Sequence, residues 1–192
     1  MAPTRITFTA RDRNIDRFHN QIRALGETKG RVAMARAINR AGDTTNTAVK
    51  RALQKQTSIP RRIINRSMKT KRAAQKGGGA LEYVITGRGK EIPLKEFNPR
   101  QFSYGVRARV WGKLQQFKGM FGAPGDNPKL VAALGGHVYH RTSADRFPIE
   151  RGYGPSVPKE MVEDQTAEVF QKTAAAELEK RLAHEIGRLL GS

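Results

Sequence analysis

The stretch TKGRVAMARAINRAGDTTNTAVKRAL, residues 28–53, predicts the longest helix of the N-terminal half and, with it, the fold class. Its small and aliphatic side chains recur every three or four positions, which is the spacing of one helix face. That face comprises Val32, Ala35, Ile38, Ala41, Thr45, Ala48 or Val49, and Leu53. Gly42 interrupts the helix at a cost of about 1 kcal/mol relative to alanine, so it indicates either a kink or a close helix contact.

Further elements are predicted on both sides of this helix. Residues 5–9 alternate like a strand, residues 14–25 have helical spacing, and Pro60 suits the first turn of a helix over residues 60–68. Further strands are predicted at residues 81–86, 102–110, 136–142 and 147–150, and a loop at residues 119–128. The sequence predicts one α+β domain over residues 1–192: N-terminal helices, one of them long, then a central antiparallel β region and a long C-terminal helix.

The predicted C-terminal helix follows Pro158. Its buried side is expected to consist of Val162, Thr166, Val169, Phe170, Thr173, Leu178, Leu182, Ile186 and Leu189. Acidic residues gather early in the helix and Arg188 lies late, which suits the helix dipole.

Positive charge concentrates in the first two-fifths of the chain. There are 36 Lys and Arg residues against 17 Asp and Glu residues, a formal net charge of +19, and residues 1–76 carry +15 of it. Such a charge calls for a polyanionic or acidic partner: nucleic acid, an acidic protein ring or an anionic membrane surface. No run approaches the roughly 18 apolar residues of a membrane span, and we expect no membrane partner.

The densest basic run lies between residues 61 and 76. It contains seven cations and no carboxylate: Arg61, Arg62, Arg66, Lys69, Lys71, Arg72 and Lys76. The run can contact successive phosphates, dock on an acidic neighbour or form a solvated face. The glycines at 77–79 lack the Lys-Ser/Thr ending of a phosphate loop and predict a hinge. Residues 60–80 are therefore predicted to be a basic arm, either mobile until assembly or already ordered.

The sequence predicts no catalytic residue, metal site or cofactor. Because His137 and His140 are three residues apart, a strand would direct them to opposite faces. No serine lies in a nucleophile-elbow pattern, and Glu177 and Glu179 indicate solvating charge on a helix. The chain lacks cysteine, which excludes disulfides and cysteine metal ligands. We therefore expect that the protein is not an enzyme.

Several motifs occur in a recognisable order. They are AMARAINRA at 33–41, RAL at 51–53, TSIPRRII at 57–64, KRA at 71–73, RFPIE at 146–150 and GPSVPKEM at 154–161. Together they resemble the prophage minor tail protein Z family of lambda-like tailed phages, over residues 30–76 and 140–190. The Gly-Pro-Ser-Val-Pro turn after Arg-Phe-Pro-Ile is the more specific motif, whereas residues 90–135 match no pattern.

The resemblance implies a structural virion protein, made in the host cytoplasm, at the head-proximal end of the tail. There it would complete the tail for head joining and DNA passage, with the tail terminator, tail tube and head–tail connector as partners. The rotational symmetry of tails suggests a homo-oligomeric ring, with six copies as the first expectation and three as the second. The basic arm would face an acidic ring partner or touch the duplex DNA backbone transiently, since tight sequence-specific binding would obstruct passage.

The turn formed by Tyr153, Gly154, Pro155, Ser156, Val157 and Pro158 has two interpretations. Its prolines fix the backbone and lead the chain into the last helix, which is a structural role. Alternatively, the rigid turn presents Tyr153 and Val157 to a neighbouring subunit, as an interface turn.

Two rival functions come from other classes. A ribosomal or nucleoid-like nucleic-acid-binding protein would use residues 61–76 for phosphate contact, but that run contains no aromatic residue and no recognised nucleic-acid-binding signature. A nuclease or a peptidoglycan-cleaving tail enzyme is the other rival, and no sequence feature favours it.

Overall fold

The computed structural model describes residues 3–9, 27–75 and 80–190, and it confirms the α+β class. One antiparallel sheet contains β1 (Thr4–Thr9), β2 (Met68–Lys71) and β3 (Glu82–Gly87), with β3 in the centre. A second contains β4 (Arg100–Phe102), β5 (Gly105–Val110) and β6 (Lys113–Lys118) in that order. A small pair joins β7 (Tyr139–Arg141) to β8 (Ile149–Arg151).

The described residues form five α-helices, of which the first and the last are long. The helices are α1 (Glu27–Thr57), α2 (Arg61–Ser67), α3 (Pro128–Ala133), α4 (Val157–Glu160) and α5 (Asp164–Leu190), and a 3-10 turn lies at Leu94–Phe97. The long helices α1 and α5 make the most extensive contact between elements. They run antiparallel, because Gln56 near the end of α1 bonds Thr166 near the start of α5 while Arg40 reaches Glu185 late in α5.

Small side chains are buried on α1. Ala35, Ala37 and Ala41 are fully buried on this helix, and Leu178 and Leu182 are buried on α5. The Glu185 carboxylate is also buried in this region. Arg40 and Arg188 each lie 2.9 Å from it, so the buried negative charge is paired.

Gly42 lies where α1 crosses the first sheet. A Cβ atom at this position would lie 2.7 Å from Cδ1 of the buried Tyr83 ring on β3, and closer still to other ring carbons. The Tyr83 hydroxyl donates to Asp43 at 2.9 Å, and Arg72 donates to the same carboxylate at 2.6 Å. Burial and the Asp43 carboxylate raise the pKa of Tyr83 to about 12. Gly42 therefore permits a close contact, made with a strand and not with another helix.

Two predicted elements are each divided in the structure. The predicted strand over residues 102–110 is a hairpin, because the chain turns at 103–104 and Gly105 takes a φ of 136°. The predicted helix after Pro158 ends at Glu160 and resumes as α5 at Asp164, which has a φ of 48°. Val162 lies in this break and is exposed, so its assignment to the buried side was wrong.

The other predicted elements have mixed outcomes. The strands expected at residues 5–9, 81–86, 136–142 and 147–150 are present as β1, β3, β7 and β8. The strands β7 and β8 have only three residues each, and both are shorter than predicted. The strands β2 and β6 and the helix α3 were not predicted. The helix expected at residues 14–25 and the hinge at 77–79 lie outside the described residues.

Candidate functional site

The basic segment is anchored to the domain core over the part that the structure describes. The fully buried Ile64 holds α2, and the buried Met68 holds β2, which pairs with β3 at the edge of the first sheet. The cations of both elements point outwards, with Arg61 half-buried and the others exposed. Residues 61–71 thus form a helix and a strand within the predicted basic arm, and Lys76 lies outside the described residues.

Two of the predicted contact residues have partners within the chain. Arg62 forms an ion pair with Glu96 in the 3-10 turn, and Arg72 pairs with Asp43 on α1. These arginines therefore also connect the basic segment to neighbouring elements. Within the described ranges, the remaining four cations lie within ion-pair distance of no carboxylate: Arg61, Arg66, Lys69 and Lys71.

Lys50 on α1 adds a further positive charge beside this segment. Burial lowers its pKa first, and the neighbouring guanidinium of Arg61 lowers it further. A phosphate or carboxylate bound here would relieve the repulsion between these groups. Sequence reasoning missed Lys50 because only the tertiary fold brings α1 beside α2. We name Lys50, Arg61, Arg66, Lys69 and Lys71 the basic surface.

The turn predicted as a subunit interface is packed inside this chain. The Gly154 N–H donates to the Ile92 carbonyl at 2.8 Å, and a Cβ atom on Gly154 would lie 3.0 Å from the Phe97 ring. All residues from Gly154 to Pro158 are buried, whereas Tyr153 is 46% exposed. Tyr153 is therefore available to a neighbouring subunit, but Val157 could reach one only by leaving the core.

A polar network joins the unassigned middle region to the long helices. The Trp111 indole donates to Glu160 at 3.0 Å, and the Gln56 amide donates to the same carboxylate at 3.2 Å. The Gln56 carbonyl oxygen accepts from the Thr166 hydroxyl at 2.7 Å. These bonds connect the end of α1, the β5–β6 turn and the start of α5 beside a cleft of about 840 Å³. Glu160 is nearly buried, so the network satisfies a charge that burial would otherwise disfavour.

The histidines have separate partners. Nε2 of His137 lies 2.8 Å from Nζ of Lys95, and burial followed by the Lys95 charge lowers the pKa of His137. Nε2 of His140 lies 3.7 Å from Glu150. Across residues 3–9, 27–75 and 80–190, no three side chains of the types His, Cys, Asp and Glu gather to hold a metal ion. In the same ranges, no helix has the length and apolar character of a membrane span.

Comparison with known proteins bears on the whole chain. A family model described as prophage minor tail protein Z matches residues 18–191. No curated protein and no solved structure matches the chain. The family match spans both recognised stretches and also residues 90–135, which the sequence motifs left unassigned. The chain therefore belongs to the prophage minor tail protein Z family.

Proposed function

We propose that this chain is a structural, non-enzymatic protein at the head-proximal end of a phage tail, where it completes the tail for head joining and DNA passage. Membership of a minor tail protein family supports a virion role. The basic surface is the observation that supports the more specific role in head joining and DNA passage. It holds cations on elements anchored by Ile64 and Met68, so a polyanion can bind without ordering the backbone.

The proposed contact is reversible and independent of DNA sequence. Lysine and arginine side chains on α2 and β2 can neutralise phosphates and release counterions, and such contacts weaken as salt rises. They carry no base information, so DNA could move past them. An acidic face of the tail terminator, the tail tube or the head–tail connector is the alternative occupant. A ring of six copies, or of three, would repeat the basic surface around the tail axis.

A free-standing ribosomal or nucleoid-like protein is the competing proposal. It would use the same cations for phosphate contact, but membership of a tail protein family does not favour it.

Localisation in the particle tests the proposed position. Virions from a wild-type phage and from a strain lacking this chain would be compared by cryo-electron microscopy. We expect difference density at the head-proximal end of the tail, in a ring of six or three copies. Density elsewhere in the tail would refute the position, and absence from the virion would refute the structural role.

Charge substitution tests the basic surface. A variant with Arg61, Arg66, Lys69 and Lys71 changed to Gln spares Arg62 and Arg72, which have intramolecular partners. We expect it to fold but to accumulate unjoined tails or particles that fail to deliver DNA. A control variant removes the same charge elsewhere, with exposed lysines changed to Gln at Lys29, Lys159, Lys172 and Lys180. Equal infectivity of the two variants would exclude the basic surface from the mechanism.

A further inference from the structure

The outer face of the second sheet is a second positively charged surface. In β5, Val106, Ala108 and Val110 are buried, so the alternate residues Arg107 and Arg109 point away from the core. Cross-strand pairing places Arg100 of β4 and Gln116 of β6 on either side of Arg107. Lys118 is on the same face, opposite Gly105.

No negative charge from this part of the sequence balances the outer face. Residues 98–125 contain five Arg and Lys residues and neither Asp nor Glu. Arg100, Arg109 and Lys118 are exposed, and none of them forms an ion pair in the part of the chain that the structure describes. Arg109 lies at the end of the face nearest the Trp111 cleft, and the lining of that cleft also includes Glu160, Asp164 and Glu168. The sheet therefore presents exposed cations on three hydrogen-bonded strands.

Aromatic side chains lie among these cations. The rings of Phe102 and Tyr104 are stacked, with centroids 5.4 Å apart and planes 5° from parallel, and the Arg107 guanidinium lies 4.4 Å from the Phe102 centroid. Tyr104 is 36% exposed at the end of the sheet. The elements α2 and β2, which hold four of the five residues of the basic surface, contain no aromatic residue, and this distinguishes the two faces.

A cavity of about 680 Å³ continues this face beyond Tyr104. Arg141, Arg146 and Phe147 contribute to its wall, and none of its lining residues is acidic. Phe147 is 63% exposed, with the Arg146 guanidinium 5.6 Å from its ring centroid. The volume falls within the range of about 300–1,000 Å³ that is typical of small-molecule sites. It can therefore admit a planar base.

We propose that the outer face of the second sheet and the adjoining cavity bind DNA that has unpaired bases. Arg100, Arg109 and Lys118 contact phosphates, and Tyr104 stacks on a base beside the cavity. Cations alone would fit duplex DNA or an acidic protein equally well. Exposed rings beside arginine favour an unstacked base, because aromatic stacking is the usual means of holding single strands. The proposal does not depend on where the protein lies in the tail.

Substitution of the ring tests the stacking contact. Labelled single-stranded and blunt duplex oligonucleotides would be titrated with purified full-length chain by fluorescence anisotropy. The four residues of the basic surface that lie on α2 and β2, Arg61, Arg66, Lys69 and Lys71, would first be changed to Gln to isolate the second face. We expect single strands to bind more tightly than duplex. Tyr104→Leu should weaken single-strand binding on the order of tenfold, with the salt slope and the duplex affinity unchanged.

Removal of the cations tests the phosphate contacts. Changing Arg100, Arg109 and Lys118 to Gln should lower the slope of log affinity against log salt by about 2, since each phosphate contact on a single strand contributes roughly 0.7. The control removes the same charge from exposed lysines, with Gln at Lys159, Lys172 and Lys180, and should keep the slope. Circular dichroism melting would verify that each variant is folded.

Three outcomes would overturn the proposal. The first is duplex binding as tight as single-strand binding, and the second is an unchanged single-strand affinity in Tyr104→Leu. The third is a triple-Gln variant that binds single strands like its control but no longer joins tails, which would identify an acidic protein as the occupant.

Discussion

Gly42→Ala is expected to destabilise the protein although alanine is the better helix former. Glycine inside a helix costs about 1 kcal/mol relative to alanine, so propensity alone predicts a gain of that size. The new methyl group, however, would lie inside the van der Waals contact distance of the Tyr83 ring. That ring is 1% exposed and its hydroxyl is bonded to Asp43, so a shift of the ring would disturb both the core packing and this bond.

The cost of the clash with Tyr83 exceeds the gain in helix propensity, so the net change in stability should be a loss. Overpacking a core costs about 1–3 kcal/mol, and a ring that shifts also weakens a bond to a charged acceptor worth about 1.5–3 kcal/mol. After the helix gain is subtracted, we expect a net loss of about 1.5–5 kcal/mol in the free energy of unfolding, with the upper value for complete loss of the bond. For a domain of this size the melting temperature should fall by roughly 3–20 °C.

Urea and thermal unfolding, followed by circular dichroism, measure this loss. Thr47→Ala, at an exposed position of the same helix, is the control and should change stability by less than about 0.5 kcal/mol. In a Tyr83→Ala background the clash is gone, so Gly42→Ala should be neutral or stabilising by up to about 1 kcal/mol. A Gly42→Ala protein that melts at or above the wild-type temperature would falsify the close-contact argument.

Three further predictions concern buried polar groups. The native pKa of Tyr83 is raised from 10.0 to about 12, so the Tyr83 hydroxyl contributes fully to stability below about pH 10, and this contribution is lost as the pH rises towards 12. Between pH 10 and about pH 12, the urea midpoint of the wild-type protein should therefore fall more steeply than that of Tyr83→Phe. Glu160→Ala leaves the donors of Trp111 and Gln56 without their acceptor, so it should lower the free energy of unfolding by about 1–3 kcal/mol and shift the fluorescence emission of the single tryptophan. The control Glu163→Ala, at an exposed position, should lower it by less than about 0.5 kcal/mol. Asp43→Asn removes the exposed ion pair with Arg72 and should lower the pKa of Tyr83, which an absorbance titration would detect. An unchanged pKa of Tyr83 would contradict the assigned cause.

Local patterns predicted the two long helices and several strands because their signals lie within a few residues. The apolar positions of α1 and α5 follow helical spacing, and β3 is a continuous run of β-forming residues. The pairing of α1 with α5 could not be predicted in this way, since it joins segments more than a hundred residues apart, such as Gln56 and Thr166. Nothing local to either helix specifies its partner.

The second sheet shows why alternation alone is ambiguous. Residues 102–110 alternate over much of their length, yet a Cβ atom at Gly105 would lie 2.9 Å from the Gly119 backbone nitrogen, so glycine allows a tight hairpin there. The strand β6 was missed because it lies at a sheet edge, where Leu114 faces outwards and is 58% exposed. Tertiary pairing, and not local propensity, fixes both features.

The candidate site was predictable in location but not in detail. Sequence charge identified the run from residue 61, and the structure places its described residues on α2 and β2. The partners of Arg62 and Arg72 come from Glu96 and Asp43, which are distant in sequence. The contribution of Lys50 likewise depends on helix packing. Counting charges in the sequence thus gives the sign of the charge on a surface, whereas the fold decides which of those charges remain unpaired.

The antiparallel pairing of α1 and α5 also constrains how the protein matures in the cell. During synthesis α1 emerges long before α5 exists to cover it, and such distant pairings form slowly. A nascent chain halted before residue 164 would therefore retain an uncovered apolar helix and offer chaperones or proteases a target. Only chains translated through α5 can bury the side of α1 that contacts it.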